Sequence, residues 1–376
     1  MSRRRSGVGV ALVLACAGWS VGADTLQAQF PQDPFTSGAG VVVEGYRFEG
    51  VAADVVEGIV LGTAPIDARA RLGSSVELGV RSAYARAILF LPGGEELTQE
   101  GFTDTEVRLT AAPMGGGLTL SVIGYLPTGS STHGPEEAAV AGLIASDVLP
   151  FRISHWGRGG GVALHGAAAR RFGAVGAGLA ASWRFSGEYE PLLGGVTYQP
   201  GNELRVRGAL DVDLGSASRF SVAGTWYDYS DDRLAGENLY RSGDRIEGYA
   251  SLAFPMGRRS AGALYGGLLH RETGTFLDPG APTGPAQDLL LAGLRTRVAL
   301  GSVRWVQSVD SRFFQAEDGV GEGWILGTEA AFEIPTGPLR LTPRVGGRVG
   351  RLDVRGTGIM SRLWGVVAGV SLRAGR

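Results

Sequence analysis

Long segments in which apolar and polar residues alternate limit the possible folds of this chain more than any other feature. Between residues 203 and 214, every second residue is apolar or glycine, and most of the residues between them are charged. The segments 174–185, 245–254 and 339–351 repeat the alternation, with fewer charges in 174–185. Because successive side chains of a β-strand point to opposite faces, a period of two predicts strands with one apolar and one polar face.

The lengths of these segments and of their connections narrow the choice of architecture. Segments such as 75–90 and 287–300 are more than twice as long as an average soluble strand of roughly 5–6 residues. Short connections near 171–173 and 301–302 alternate with long ones such as 91–103 and 126–158. A soluble β-sandwich would need shorter strands, whereas short turns at one end and long loops at the other are typical of outer-membrane barrels.

The chain is therefore predicted to be all-β, a single-chain antiparallel transmembrane β-barrel of about 14–16 strands with short periplasmic turns and longer outer loops. The candidate strands extend from 41–49 to 358–372, and counting all of them gives about sixteen, an even number that suits a closed barrel. Pro65 interrupts the second candidate strand. Fourteen strands with an N-terminal segment inside the barrel is therefore the alternative.

The N-terminus has the pattern of a secretory signal peptide. Three arginines at positions 3–5 precede an uncharged apolar stretch at 7–17, and small residues end at Ala23. We therefore assign residues 1–23 to a signal peptide, 24–40 to an N-terminal extension and 41–376 to the outer-membrane barrel. Cys16 is the only cysteine, and the residues before it loosely resemble a lipoprotein cleavage site. Whether Cys16 is lipidated stays open.

Composition excludes several functions. All 35 basic residues are arginine, so Schiff-base chemistry and lysine-containing phosphate loops are excluded. The net charge of −2 argues against a nucleic-acid partner. The four histidines have no metal-motif spacing, and no G-x-S-x-G nucleophile motif occurs. The sequence thus predicts no catalytic residue, no metal site, no cofactor and no enzymatic activity.

The polar faces of the predicted strands carry charges of both signs. In a barrel this face lines the lumen. Pairing of arginines with carboxylates across strands would fill the interior, whereas unpaired charges would select solutes along a pore. The candidate lumen-lining residues are Arg205, Arg207, Glu247, Arg295, Arg297, Glu329, Arg340, Arg344 and Arg348.

One segment, near 130–149, has a helical pattern. Pro135 followed by two glutamates is typical of a helix start, and an apolar stretch follows that is too short to span a membrane. The segment lies in the longest predicted outer loop. Val140, Leu143 and Ile144 are therefore candidates for a lid or an inward-folded constriction, and a surface helix is the alternative.

One stretch carries a family resemblance. A strand preceded by Gly101-Phe102-Thr103-Asp104 is followed by one that ends in Leu126-Pro127-Thr128-Gly129. These two motifs resemble the outer-membrane proteins of the phenol-degradation meta-pathway, which are similar to the long-chain fatty acid outer-membrane transporters. The resemblance implies gated uptake of hydrophobic or aromatic molecules, and it assigns no ligand-binding residue. Those transporters have an N-terminal hatch, for which residues 30–50 would be the equivalent.

The functional hypothesis is therefore passive or gated uptake of hydrophobic or aromatic small molecules. A hydrophobic solute needs an apolar pocket, and Leu264, Leu268 and Leu291 are candidates to line one beside the loop helix. The alternatives are a general porin for small polar solutes and a structural or adhesive barrel without transport. The expected partners are outer-membrane lipid and lipopolysaccharide, the barrel assembly machinery and a small-molecule solute. The oligomeric state stays open.

Overall fold

The structure is a computed structural model that describes residues 35–113, 117–215, 217–278, 283–354 and 356–374. The predicted signal peptide, Cys16 and most of the predicted extension lie outside these residues. Among the described residues, no helix is both long and apolar enough to cross a membrane.

Most of the described chain is β-strand, with one α-helix and one short 3-10 helix. In chain order, the elements are β1 (Phe35–Glu49), the 3-10 helix η1 (Gly50–Asp54), β2 (Gly58–Arg71), β3 (Val76–Phe90), β4 (Glu96–Phe102), β5 (Thr105–Ala111), β6 (Leu118–Leu126), α1 (Pro135–Ile144), β7 (Gly161–Phe172), β8 (Val175–Ser186), β9 (Tyr198–Gln199), β10 (Glu203–Asp213), β11 (Arg219–Tyr229), β12 (Asp232–Leu234), β13 (Glu237–Arg241), β14 (Arg245–Pro255), β15 (Ser260–Arg271), β16 (Thr275–Phe276), β17 (Gln287–Leu300), β18 (Val303–Ala316), β19 (Gly323–Thr336), β20 (Leu339–Leu352) and β21 (Ser361–Ala374).

A single antiparallel sheet closes on itself to form the barrel. It contains seventeen strands, and β1 pairs with the last strand, β21. Because β4 and β5 pair one after the other with β3, they form one continuous position in the wall, and the barrel has sixteen positions. The prediction of a closed antiparallel barrel of 14–16 strands is confirmed, and the fourteen-strand alternative is wrong because β1 and β2 belong to the wall.

Two strand boundaries differ from the prediction. β1 begins at Phe35 rather than at residue 41, and its first residues pair with the end of β2. The predicted loop at 91–103 is mostly strand β4, in which Leu97 and Gln99 are buried. Pro65 does not end β2, but the pairing of β1 with β2 passes from Ala39↔Ile66 directly to Val42↔Thr63 beside it. Proline has no N–H to donate at that point.

Short turns at one end of the barrel and long connections at the other confirm the predicted asymmetry. Gly173 and Gly301 open two-residue turns with φ of 60° and 65°. Such turns need a positive φ at their first position, which glycine adopts without strain. The connections at the other end include residues 127–160 and 187–202. Three of these connections contribute β9, β12, β13 and β16 to a separate four-stranded sheet.

The wall has an apolar outer face and a mixed inner face. In β1, Val41 and Val43 are 52% and 43% exposed, whereas the alternate residues Val42, Glu44 and Tyr46 are 3%, 1% and 4% exposed. The exposed residues therefore mark the outer face. Large aromatic side chains at both ends of the strands share that face, namely Trp183, Phe185, Trp226, Phe313, Trp324 and Phe332.

Candidate functional site in the barrel interior

All nine residues predicted to line the lumen lie on the inner face. On β20, Arg344 and Arg348 alternate with Val345 and Val349, which are 61% and 51% exposed on the outer face. On β19, Leu326 is 43% exposed on the outer face, and Glu329, three positions later, therefore points inward. Residues that are directly opposite each other on neighbouring strands point to the same face, so the strand register identifies the inward residues of the remaining strands. The other six are Arg205, Arg207, Glu247, Arg295, Arg297 and Arg340.

Several of these residues form ion pairs within the barrel. Glu329 lies 3.4 Å from Arg344, and Arg348 lies 3.6 Å from Glu44. Glu247 pairs with Arg245 at 2.8 Å. Arg205 contacts Glu203, and Arg297 contacts Glu333 at 3.4 Å. Pairing of opposite charges across the inner face is therefore part of what holds the wall in shape.

Three of the arginines predicted to line the lumen have no such partner. Arg207, Arg295 and Arg340 form no ion pair within the described part of the chain. Arg207 and Arg340 are also exposed. Since an exposed charge on the inner wall must be solvated, these side chains indicate water in the lumen beside them.

The connection between β6 and β7, residues 127–160, folds into the end of the barrel, and we call it the long loop. It contains α1, which begins with Pro135 after Gly134. The Gly134 N–H donates a hydrogen bond to the Glu137 carboxylate at 2.9 Å, so the first turn is capped from within the helix. The predicted helical segment thus contains a helix over Pro135–Ile144.

The apolar side of α1 packs against the inner wall. Val140 and Ile144 are 0% and 1% exposed and belong to one apolar cluster with inward residues of β1 to β4 and β19 to β21. Leu143 is partly buried at the edge of the same cluster. Ala85 and Ala87 on β3 are both fully buried in this cluster. Their small side chains leave room for the helix, so the packing depends on small residues in the wall as well as apolar ones in the loop.

Polar contacts anchor the part of the long loop that follows α1. The Arg152 backbone N–H donates to Glu44 at 3.1 Å, and its guanidinium lies 3.9 Å from Glu44 and 3.8 Å from Glu329. The Trp156 indole N–H donates to the Ala85 carbonyl at 3.1 Å. Further along the wall, Asp147 pairs with Arg271 at 3.1 Å. These contacts reach different sides of the barrel, so the loop narrows the lumen at this end.

The two motifs that carry the family resemblance meet at the ends of the long loop. Asp104 accepts hydrogen bonds from the backbone N–H groups of Gly129 (3.2 Å) and Arg158 (2.8 Å). Thr128 contacts Thr105 through their hydroxyl oxygens at 2.7 Å. Because these contacts fix both ends of the loop to the break between β4 and β5, the motifs have an architectural role here.

The loop histidine nearest these contacts is held neutral. Burial, reinforced by the positive charges of Arg158 and Arg184, lowers the pKa of His155 to about 3. Its Nδ1 lies 2.9 Å from the Ser154 hydroxyl. His155 therefore adds no charge to the loop at neutral pH.

Two of the three leucines predicted to line an interior pocket lie elsewhere than expected. Leu264 is 50% exposed on the outer face, and Leu268 shares its parity, so neither lines an interior pocket. Leu291 pairs with Gly267 on the inner face. His270 pairs at 2.8 Å with Asp288 on the outer face, away from the lumen. Within the described residues, no group of acidic, histidine or cysteine side chains is arranged to hold a metal ion.

Sequence reasoning missed the anchors of the long loop. Glu44 follows three valines, and a carboxylate at an inward position of such an apolar strand is the signal that it needs a partner. Arg152 is the one arginine between His133 and Trp156. Nothing in the local sequence connects these two residues, which lie 108 positions apart.

Solved outer-membrane barrels resemble this structure over most of its length. A triple mutant of Rhodopseudomonas blastica porin is 12% identical, covers 90% of this chain and 99% of its own, and has a TM-score of 0.41. Pseudomonas putida OprB at low pH is 11% identical over 90% of this chain and 91% of its own, with a TM-score of 0.44. A deltaS2 mutant of the TodX monoaromatic hydrocarbon channel is 10% identical over 91% and 90%, with a TM-score of 0.47.

No family model matches the sequence. No curated protein matches it either. The likeness to solved barrels concerns the fold alone, so membership of the phenol-degradation or fatty acid transporter families stays a prediction.

Proposed function

We propose that the protein is a channel of the bacterial outer membrane that admits small polar solutes and prefers anions. The sheet closes into a barrel through the pairing of β1 with β21, and its outer face is apolar with aromatic residues at both ends. These are the properties that a bilayer requires of a spanning β-structure. The predicted signal peptide agrees with export to that membrane.

The observation that carries the proposal is the set of unpaired arginines on the inner wall. Arg207, Arg295 and Arg340 have no ion-pair partner among the described residues. Their positive charge attracts anions and repels cations along a water-filled path. An apolar path has weaker support, because Leu264 and Leu268 lie on the outer face.

The long loop supplies the narrowing that limits the size of the solute. It is fixed at Glu44, Glu329 and Arg271, on separate sides of the wall. A loop held at several points keeps its position while water and ions pass beside it. We therefore assign it the role of a constriction.

Ion selectivity tests the proposal. The purified protein in a planar bilayer with a salt gradient is expected to show a reversal potential on the anion side. The double variant Arg207→Glu, Arg340→Glu should move it toward the cation side, because each substitution replaces a positive charge beside the path with a negative one. Arg86→Glu is the matched control, since Arg86 is exposed on the outer face and paired with Glu100. A cation preference of the unmodified channel would contradict the proposal.

A second candidate is uptake of hydrophobic or aromatic molecules, as the family resemblance implies. The apolar cluster between α1 and the wall favours it, because Leu143 and Phe151 lie at the partly buried edge of that cluster. Leu143→Asp should then abolish uptake of an aromatic substrate by whole cells and leave ion conductance unchanged. Ile144 is unsuitable for this test, because a charge at a 1% exposed position would disrupt the loop itself.

A further inference from the structure

The outer face near the long-loop end carries three exposed arginines, which we call the rim arginines: Arg47, Arg351 and Arg362. They lie close to the ends of β1, β20 and β21. Arg351 and Arg362 are directly opposite each other on neighbouring strands. Side chains in such positions have Cβ atoms about 4.5–5.5 Å apart, and like charges there repel.

Little in the described chain offsets this repulsion. Glu49 lies opposite Arg362 and Arg47 lies opposite Trp364. None of the rim arginines forms an ion pair within the described residues. Glu49 is the carboxylate that faces this pair, and it forms no ion pair with either arginine. The two neighbouring positive charges therefore favour an external anion that can accept hydrogen bonds from both, and phosphate oxygens suit the guanidinium fork.

The surface next to the rim arginines is apolar and suits the rest of a lipid. Trp364 and Trp324 are 44% and 39% exposed, and Trp324 is opposite Arg351. Further along the strands, Val349 and Val366 are 51% and 53% exposed on the same face. The arginines suit the charged headgroup of a lipid, the indole rings suit the membrane interface, and the aliphatic surface suits the acyl chains.

We propose that the rim arginines bind the phosphate groups of lipopolysaccharide, with its acyl chains lying over Trp364, Val349 and Val366. This rests on the proposed outer-membrane location, in which the long-loop end meets the leaflet that contains lipopolysaccharide. The site lies on the outside of the barrel, so it is separate from the solute pathway.

The test compares two double variants in detergent solution, using labelled lipopolysaccharide as the probe. Arg351→Gln, Arg362→Gln removes two rim charges. Arg258→Gln, Arg259→Gln is the matched control, because it removes two exposed arginines from the turn at the opposite end. We expect the rim variant to bind about tenfold more weakly or worse and the control to bind like the unmodified protein.

Additional measurements distinguish lipopolysaccharide from other phosphate-containing lipids, and they test lipid binding independently of the channel. Dephosphorylated lipopolysaccharide should bind weakly to the unmodified protein. Its affinity should be similar to that of intact lipopolysaccharide for the rim variant. Equal binding by the two double variants, or equally strong binding of phosphatidylglycerol, would overturn the assignment. Heat-modifiable gel mobility of each variant shows that the barrel is folded. Conductance is measured in the same preparations. A loss of lipopolysaccharide binding can therefore be distinguished from a loss of channel activity.

Discussion

At the residue scale, the position of the long loop depends on Arg152. Its side chain is 35% exposed and lies between Glu44, which is almost fully buried, and Glu329. Arg348 also lies 3.6 Å from Glu44. Removal of one partner from a buried ion pair costs about 3–5 kcal/mol, but partial exposure and the remaining arginine reduce this.

We therefore predict that Arg152→Ala weakens the attachment of the long loop by about 1–2 kcal/mol. Hydrogen exchange of residues 145–158 should become faster, while exchange in β1 and β20 should stay slow. Arg86→Ala removes an arginine whose ion pair is exposed on the outer face, and it should leave the loop unchanged. Identical loop exchange in both variants would show that the Arg152 contacts do not hold it.

Acidification should also release this loop. Because burial lowers the pKa of His155 from 6.5 to about 3, the released loop binds a proton more readily than the attached loop. The contribution of His155 to the attachment is therefore complete above pH 6.5, falls as the pH falls toward 3 and changes no further below that. Anisotropy of a fluorophore on Ala145→Cys should fall across this range. His155→Gln should make the curve flatter, and unchanged curves would exclude His155 as the cause.

At the element scale, the strands follow from local sequence and the long loop does not. Alternation in residues 339–351 predicts β20 because strand periodicity is a property of neighbouring residues. The helix start at Pro135 is likewise local. In contrast, the contact of Arg152 with Glu44 joins residues 108 positions apart, and only the closed barrel brings them together. Strand β4 was missed because its pattern is short.

Two glycines of the long loop differ in the space around them, so their replacement by alanine should have opposite effects on stability. A Cβ on Gly129 would lie 2.2 Å from the Trp156 carbonyl oxygen, so Gly129→Ala should displace the loop end and lower its stability. Gly142 in α1 has no atom within 4 Å of the same position. Gly142→Ala should therefore stabilise the helix by about 0.5–1 kcal/mol. Hydrogen exchange of the long loop distinguishes them, and equal effects would contradict this packing.

At the scale of the whole molecule, closure between β1 and β21 makes the barrel one cooperative unit. A closed barrel resists detergent until it is heated. We predict that the protein fractionates with outer membranes and migrates faster on gels before boiling than after it. Recovery in the soluble periplasmic fraction would contradict the membrane location.

Single-channel recording tests the central claim, that solutes pass through the lumen, most directly. The unmodified protein in a planar bilayer should give discrete current steps, and a variant that lacks residues 130–149 should give larger ones, because the constriction is removed. Heat-modifiable mobility must first show that both proteins are folded barrels. If both are folded and inserted and neither conducts, the lumen is sealed. The protein would then be a structural or adhesive barrel rather than a channel.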